Sequence, residues 1–404
     1  MHKTSFWKAG HTPTLFAAFF YFDLSFMVWV ILGPLAVQIS KDLGLTPAEK
    51  GLMVAIPLLA GALLRIVMGV MVDHLKPKKA GLIGQLVVML GLLWAWQGDL
   101  HSYASLLALG AVLGVAGAAF AVALPLASRW YPPEHQGTAL GIAGAGNSGT
   151  AFAALFAPAL AVAFGWQNVF GLCLIPLGVA LVVYLTMAKD APSAPPPKSL
   201  PEYLHVLKDK DAWWFMFFYA VTFGGFSGLA SSLTIYFNTQ YAVSPVSAGY
   251  LTAACVFAGS LVRPLGGRLA DRIGGIRTLS IMYACAAAAL LLASSGMPSA
   301  GSAAAVFVAA MLAFGTGNGA VFQLVPQRFR KEIGVMTGLV GMAGGVGGFY
   351  LASSLGMSRQ LTGSYQIGLI VFAALAVIAL LGLSLVKTRW RTTWGSAAMT
   401  AARV

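Results

Sequence analysis

The chain has 404 residues, 58% of them hydrophobic and only 9% charged, with a formal net charge of +13 and a mean hydropathy of +0.81. Soluble domains carry roughly a quarter of their residues as charges, so the solvent of this chain is mostly lipid, which argues against a soluble enzyme. The positive charge does not point to nucleic acid either, because the Lys and Arg residues gather in alternate short loops and not along one soluble face.

In chain order, Met1 to Gly10 is short, mixed and basic, and no small-residue cleavage site follows its first apolar run. That run reads as a first membrane helix, not as a signal peptide. A spanning helix needs about 20 mostly apolar residues. Six such segments are expected near 13–37, 48–72, 80–98, 102–126, 136–163 and 167–187, and six more near 213–238, 246–269, 278–295, 300–326, 333–357 and 367–387. The predicted architecture is all-α: a six-helix half over 1–188, a linker over 189–212, a second six-helix half over 213–388 and a tail over 389–404. The linker holds Pro192, Pro195-Pro196-Pro197, Pro201 and the run Lys208-Asp209-Lys210-Asp211, a polar and proline-rich composition that cannot span a bilayer. Within it, Leu200 to Leu207 reads either as a short amphipathic surface helix or as plain tether. Cys173, Cys255 and Cys285 lie in apolar runs without metal or disulfide spacing and read as packing residues.

Charge sets the expected orientation. Of the 25 Lys and Arg residues, Arg65 and Arg263 are intramembrane, Lys41, Lys50 and Arg359 fall in the loops of one side, and the other 20 fall in the opposite loops and the termini. Both termini and the linker are therefore expected on the cytoplasmic side of a bacterial inner membrane.

The two halves repeat one another. Arg65, Gly69 and Asp73 recur as Arg263, Gly267 and Asp271, each 198 residues on, and the same offset takes Phe19-Phe20-Tyr21 onto Phe217-Phe218-Tyr219. A fixed offset of about half the chain indicates a duplicated unit. Asp73 and Asp271 stand at basic exits, Asp73-His74-Leu-Lys76-Pro-Lys78-Lys79 and Asp271-Arg272-Ile-Gly-Gly-Ile-Arg277. Both exits resemble the loop signature of the major facilitator superfamily and are expected to act as latches that close the cytoplasmic side in one state. Twelve helices in two repeated halves, with a site near midplane between them, are the architecture expected of such carriers.

Arg65 precedes Asp73 by eight residues, about 12 Å at 1.5 Å per residue, too deep to snorkel easily. A charge inside a membrane segment is costly and marks function by default, and the planar donor fork of Arg suits planar oxyanions. Asp23, ten residues after Pro13 and hence near midplane, is the clear intramembrane acid, so the pair Arg65 and Arg263 leaves the cavity about one positive charge. Asp23 has two readings: a coupling-proton carrier, or a fixed counter-charge to an arginine. No histidine falls within a predicted span. Tyr219 and Phe223, at i and i+4, share a helix face. The fifth segment carries Gly141, Gly144, Gly146, Asn147 and Gly149, and the eleventh echoes it with Gly338, Gly341, Gly344, Gly345, Gly347 and Gly348. Such small-residue stripes allow close and movable helix packing. Packing explains the glycines but not the amide of Asn147.

The paired arginines, the run Gly141-x-x-Gly144-x-Gly146-Asn147, its glycine-rich echo and Tyr219-x-x-x-Phe223 together resemble the nitrate/nitrite porter family of the major facilitator superfamily. The resemblance implies nitrate contact by Arg65 and Arg263, with Asn147, Tyr219, Phe223 and Phe120 as pocket residues. The tenth segment, Gly315-Thr-Gly-Asn318-Gly-Ala-Val-Phe322-Gln323, is similar too, and contact of Asn318 or Gln323 with substrate stays open. The expectation is a secondary transporter of nitrate, as a proton symporter through Asp23 or, alternatively, as a nitrate/nitrite antiporter. An organic-anion carrier of the same fold is a further alternative. A receptor would usually bring a soluble signalling domain, and no span carries a nucleophile with its base. Neither catalysis nor a cofactor or metal is expected. The partners are nitrate, nitrite in the exchange reading, protons and the bilayer, with the chain a monomer that binds no nucleic acid.

Overall fold

The computed structural model describes residues 6–98, 100–192, 201, 205–329 and 332–395. The proline run 195–197, residues 200 and 202–204 of the segment 200–207, and the tail from 396 lie outside the described residues. The described residues are helical without strands, and twelve helices are long and apolar enough to cross a membrane. They are α1 (Thr12–Leu43), α2 (Pro47–Leu75), α3 (Pro77–Gln97), α4 (Tyr103–Ser128), α5 (Thr138–Phe164), α6 (Trp166–Met187), α7 (Lys210–Tyr241), α8 (Pro245–Ile273), α9 (Gly275–Ser294), α10 (Ala300–Arg328), α11 (Ile333–Thr362) and α12 (Gln366–Trp394). Local signals bound them. Gly44, at φ 63°, ends α1 in a left-handed cap that glycine adopts without strain. Thr46 and Glu49 then form a reciprocal capping box that starts α2. Gly363, at φ 71°, closes α11 in the same left-handed way.

α1 and α7 are the most buried spans and sit where the two halves meet. Outward positions such as Leu385, Ile175 and Val162 are exposed, as a surface solvated by lipid tails requires. Four spans are interrupted near mid-depth: α1 at Val30-Ile31, α4 at Ala118-Ala119, α5 at a 3-10 turn over Ala145–Ser148, and α8 at Val262. The break in α8 precedes Pro264, whose ring has no N–H to continue the ladder. The counterpart of Pro264 one repeat earlier is Ile66, and α2 runs through unbroken.

Two boundaries differ from expectation. α7 begins at Lys210, capped by Asp209, whose carboxylate accepts the Asp211 N–H at 2.8 Å, so the end of the expected linker belongs to the helix. At the other terminus, residues 389–394, expected in the tail, continue α12, and Trp390 is fully buried. Asp211 is the reason. Its carboxylate accepts Trp390 Nε1 at 2.8 Å and Arg328 Nε at 2.9 Å, and Arg389 as well. A charged acceptor shared by three donors ties the start of α7 to the ends of α10 and α12.

The halves are sealed at one end only. At the end away from the linker, a Cβ on Gly51 of α2 would lie 2.7 Å from the Gly356 backbone of α11, one on Gly33 of α1 would lie 2.4 Å from the Ser231 carbonyl of α7, and one on Gly249 of α8 would lie 2.4 Å from the Ala154 carbonyl of α5. At the linker end, the same test at Gly141 and Gly144 of α5 and at Gly334 and Gly338 of α11 meets nothing within 4 Å. The molecule is closed at the far end and open toward the linker.

Candidate functional site: two arginines in an aromatic box

The mid-depth break in α4 creates the first half of the site. In a continuous helix the Gly117 carbonyl would accept the Ala121 N–H, but Ala121 bonds to Ala118 instead (2.9 Å). The freed Gly117 carbonyl accepts Arg65 Nε at 3.2 Å. Arg65 Nη1 crosses to the other half and donates to the Gly341 carbonyl of α11. Arg65 is 1% exposed, and its Nη2 has no partner. Around its guanidinium stand three rings, Phe120 at 5.1 Å, Phe223 at 5.2 Å and Trp29 at 5.5 Å, within the range of cation–π attraction.

Arg263 reaches the same space from α8. Its Nη2 donates to the Tyr219 hydroxyl at 3.2 Å, its carbon lies 5.5 Å from the Phe322 ring, and its Nη1 is buried without a partner. Tyr219 and Phe223 stack at 5.2 Å and 6°, Phe322 meets Tyr219 edge-on at 5.0 Å, and Phe120 lies 6.1 Å from Phe322. The structure thus gathers Arg65, Arg263, Phe120, Tyr219 and Phe223 around one space between the halves. Two walls of that space, Trp29 and Phe322, were not singled out from the sequence. Trp29 stands in an apolar run with no pattern separating lining from packing, and its indole fits only because Gly61 and Gly117 lie beneath it. Phe322 lay in the run already noted in the tenth segment, but periodicity does not say which way that helix faces.

The glycines divide by task. A Cβ on Gly344 would lie 2.7 Å from the Tyr219 ring and 2.9 Å from the Phe223 ring, and one on Gly341 would lie 3.4 Å from Arg65 Nη1 and from Phe120. Gly345 faces Ala62 and Leu58 of α2, and Gly348 faces Ser227 of α7. On α5, Gly146 and Gly149 let α1 cross at Asp23: their Cβ atoms would lie 2.6 Å from Phe22 and 1.7 Å from the Asp23 carbonyl oxygen. Gly141 and Gly144 border open space.

Asn147 sits on the α5 turn and is 1% exposed. Its carbonyl accepts Ser260 Oγ of α8 at 3.3 Å, one turn before Arg263, while its Oδ1 has no partner. Among the described residues no hydrogen bond joins it to either guanidinium. Asp23 is 5% exposed and turns toward α5, where it accepts Ser148 Oγ at 2.6 Å and the Gly149 N–H. No cation lies within 4 Å of it among the described residues. Tyr21, the repeat partner of Tyr219, packs on Tyr184 of α6 at 4.8 Å, away from the site. Asn318 is buried on α10 with an unpartnered Oδ1.

The exit aspartates also part company. Asp73 accepts Arg129 Nη2 at 3.1 Å. Asp271 is exposed and forms no ion pair within 4 Å among the described residues. The repeat counterpart of Arg129 is Gln327, and the adjacent Arg328 is drawn instead to Asp209 and Asp211.

Two six-helix halves that each bring an arginine with a buried guanidinium nitrogen to their shared interface have the architecture of the major facilitator superfamily, and the model of that superfamily matches residues 15–352. Among curated proteins the chain is 33% identical over 375 residues to "Probable nitrate/nitrite transporter NarK2" of Mycobacterium tuberculosis, covering 92% of this chain and 95% of that protein. It is 32% identical over 361 residues to "Nitrite extrusion protein" of Bacillus subtilis (89% and 90% covered). It is 30% identical over 403 residues to "Probable nitrate/nitrite antiporter NarK1" of Thermus thermophilus (90% and 89% covered). The chain belongs to the nitrate/nitrite porter family of this superfamily. A solved bacterial homologue of the lysosomal transporter Spinster, described as inward-facing and occupied, shares the fold at TM-score 0.71 and 18% identity over 94% of this chain and 97% of that one.

Proposed function

We propose that this chain carries nitrate across the bacterial inner membrane by alternating access, as a nitrate/proton symporter with termini and linker in the cytoplasm. The observation that carries the reading is the pair of buried guanidinium nitrogens, Arg65 Nη2 and Arg263 Nη1, left without partners in one aromatic-walled space. A buried donor without an acceptor costs about 1–3 kcal/mol, more when charged. A flat oxyanion between the two forks removes that cost on both sides, and the rings exclude water while leaving the anion in the ring plane or at ring edges. Both halves then hold one ligand, Arg65 from α2 and Arg263 from α8, so binding favours their approach and release follows the opening at one end. The seal at the far end and the open linker end fit a state facing the cytoplasm.

Asp23 is the group for the proton. It is buried, bonded to a hydroxyl and an amide, and not ion-paired, and a buried carboxylate without a cation is costly until it takes up a proton. The exchange reading rests on a different observation. Among the described residues neither arginine pairs with an acid, so an empty site keeps two uncompensated charges, and a carrier that returns only when loaded would exchange nitrate for nitrite. Nitrate uptake into proteoliposomes decides between them. Accumulation driven by an imposed pH gradient supports symport; uptake that needs internal nitrite and ignores the gradient supports exchange. No nitrate uptake under either condition, with uptake of labelled formate or oxalate instead, overturns both.

A further inference from the structure

At the sealed far end a second pocket lies between the halves, separate from the central space. Its walls include Lys50 of α2, Ser232 and Thr239 of α7, Gly356 and Arg359 of α11, and Tyr365 at the start of α12. Lys50 and Arg359 come from opposite halves and line the same pocket. They are two of the three basic residues at this end of the chain. Neither has an ion-pair partner within 4 Å among the described residues. The described carboxylates of this end are engaged elsewhere: Glu49 is folded back on Thr46 at 2.8 Å, and Asp42 accepts Trp166 Nε1 at 2.7 Å. Ser232, 6% exposed, lines the pocket with a hydroxyl that has no partner. Arg359 is held in place, with Nη1 on the Gly363 carbonyl and its guanidinium 5.6 Å from the Tyr365 ring. Tyr365 in turn bonds Thr239. Lys50 also stands in the first turn of α2, where the helix dipole disfavours a cation and favours an anion.

Two like charges from opposite halves and an unpartnered hydroxyl line this pocket, and among the described residues no carboxylate pairs with either cation. We propose that this pocket binds a small monovalent oxyanion of the nitrate class, bridging Lys50 and Arg359 across the seal and stabilising the state that is closed at this end. Gly51 and Gly356 touch in that seal, so the site forms only when the halves meet there. The inference rests on the nitrate reading only in naming the oxyanion.

The test is nitrate titration of the purified full chain by calorimetry, with Lys50→Gln and Lys50→Arg beside it. Lys50 is half-buried, so neither change threatens folding. The intact chain is expected to bind nitrate at two sites, Lys50→Gln at one, and Lys50→Arg at two. Loss of the bridging charge is expected to weaken the outer site about tenfold or more, because a hydrogen bond to a charged group is stronger than one to a neutral amide. One site in the intact chain, or two in Lys50→Gln, overturns the proposal. A formate titration separates the two readings: a Lys50-dependent formate site in a chain that neither binds nor moves nitrate leaves this pocket standing as an oxyanion site while the transport reading fails.

Discussion

Arg65 and Arg263 occupy matched positions, yet their surroundings differ. Arg65 is bound to two carbonyls and enclosed by three rings, whereas Arg263 is bound to one tyrosine hydroxyl. Lysine at either position keeps the charge but loses the fork. Loss of one charge-assisted hydrogen bond costs about 1.5–3 kcal/mol, which is roughly ten- to a hundredfold in affinity. Arg65→Lys and Arg263→Lys are each expected to lose nitrate transport to that degree while remaining monodisperse on gel filtration; near-normal uptake by either removes that arginine from the site. Asp23 tests coupling. Asp23→Asn keeps shape and the bond to Ser148 but cannot titrate. In the symport reading, pH-gradient-driven accumulation is lost and gradient-free nitrate exchange is kept. Accumulation that survives the change makes Asp23 a structural group and favours exchange with nitrite.

At the scale of elements, the glycine stripes of α5 and α11 perform separate tasks that a common motif conceals. Gly344 lies beneath Tyr219 and Phe223, so Gly344→Val pushes both rings into the space between the arginines; overpacking of this kind costs about 1–3 kcal/mol. Nitrate affinity is expected to fall with folding retained, measured by binding to the purified variant. Gly144 has nothing within 4 Å, so Gly144→Val leaves binding in this state intact and impairs turnover only where α5 must close at the linker end. Normal turnover by Gly144→Val would show that no close approach occurs there in the cycle. Helix breaks matter at this scale too. The interruption of α4 frees the Gly117 carbonyl for Arg65, and Pro264 bends α8 at Arg263.

For the whole molecule, closure at one end and opening at the other is the property on which transport depends. Gly356 meets Gly51 in the far-end seal, and a valine there prevents that approach. Gly356→Val is expected to shift the population toward the opposite state. The measurement is labelling of Gly141→Cys by a membrane-impermeant maleimide from the linker end, in a background where the exposed Cys285 is replaced. Labelling should be ready in the parent and slowed in Gly356→Val; equal labelling removes the seal from the gating cycle.

Much of this was legible in the sequence because it depends on local or periodic chemistry. Apolar length marks the spans, a duplicated offset marks the halves, and the expense of an intramembrane charge marks Arg65, Arg263 and Asp23. The family resemblance rested on the same residues together with the glycine runs. What the sequence could not supply was direction and partner. Whether an aromatic faces a guanidinium or a lipid tail depends on the rotation of a helix whose faces are all apolar, and this left Trp29 and Phe322 unread. Where Asp23 turns depends on α5 passing close enough to offer Ser148. That Asp73 finds Arg129 while Asp271 has no ion pair among the described residues depends on Arg328 being drawn to the start of α7. Sequence alone determined that two intramembrane cations stand at matched positions of a duplicated unit. Only the tertiary structure decided which groups satisfy them, because those partners are backbone carbonyls and rings brought together across two halves of the chain.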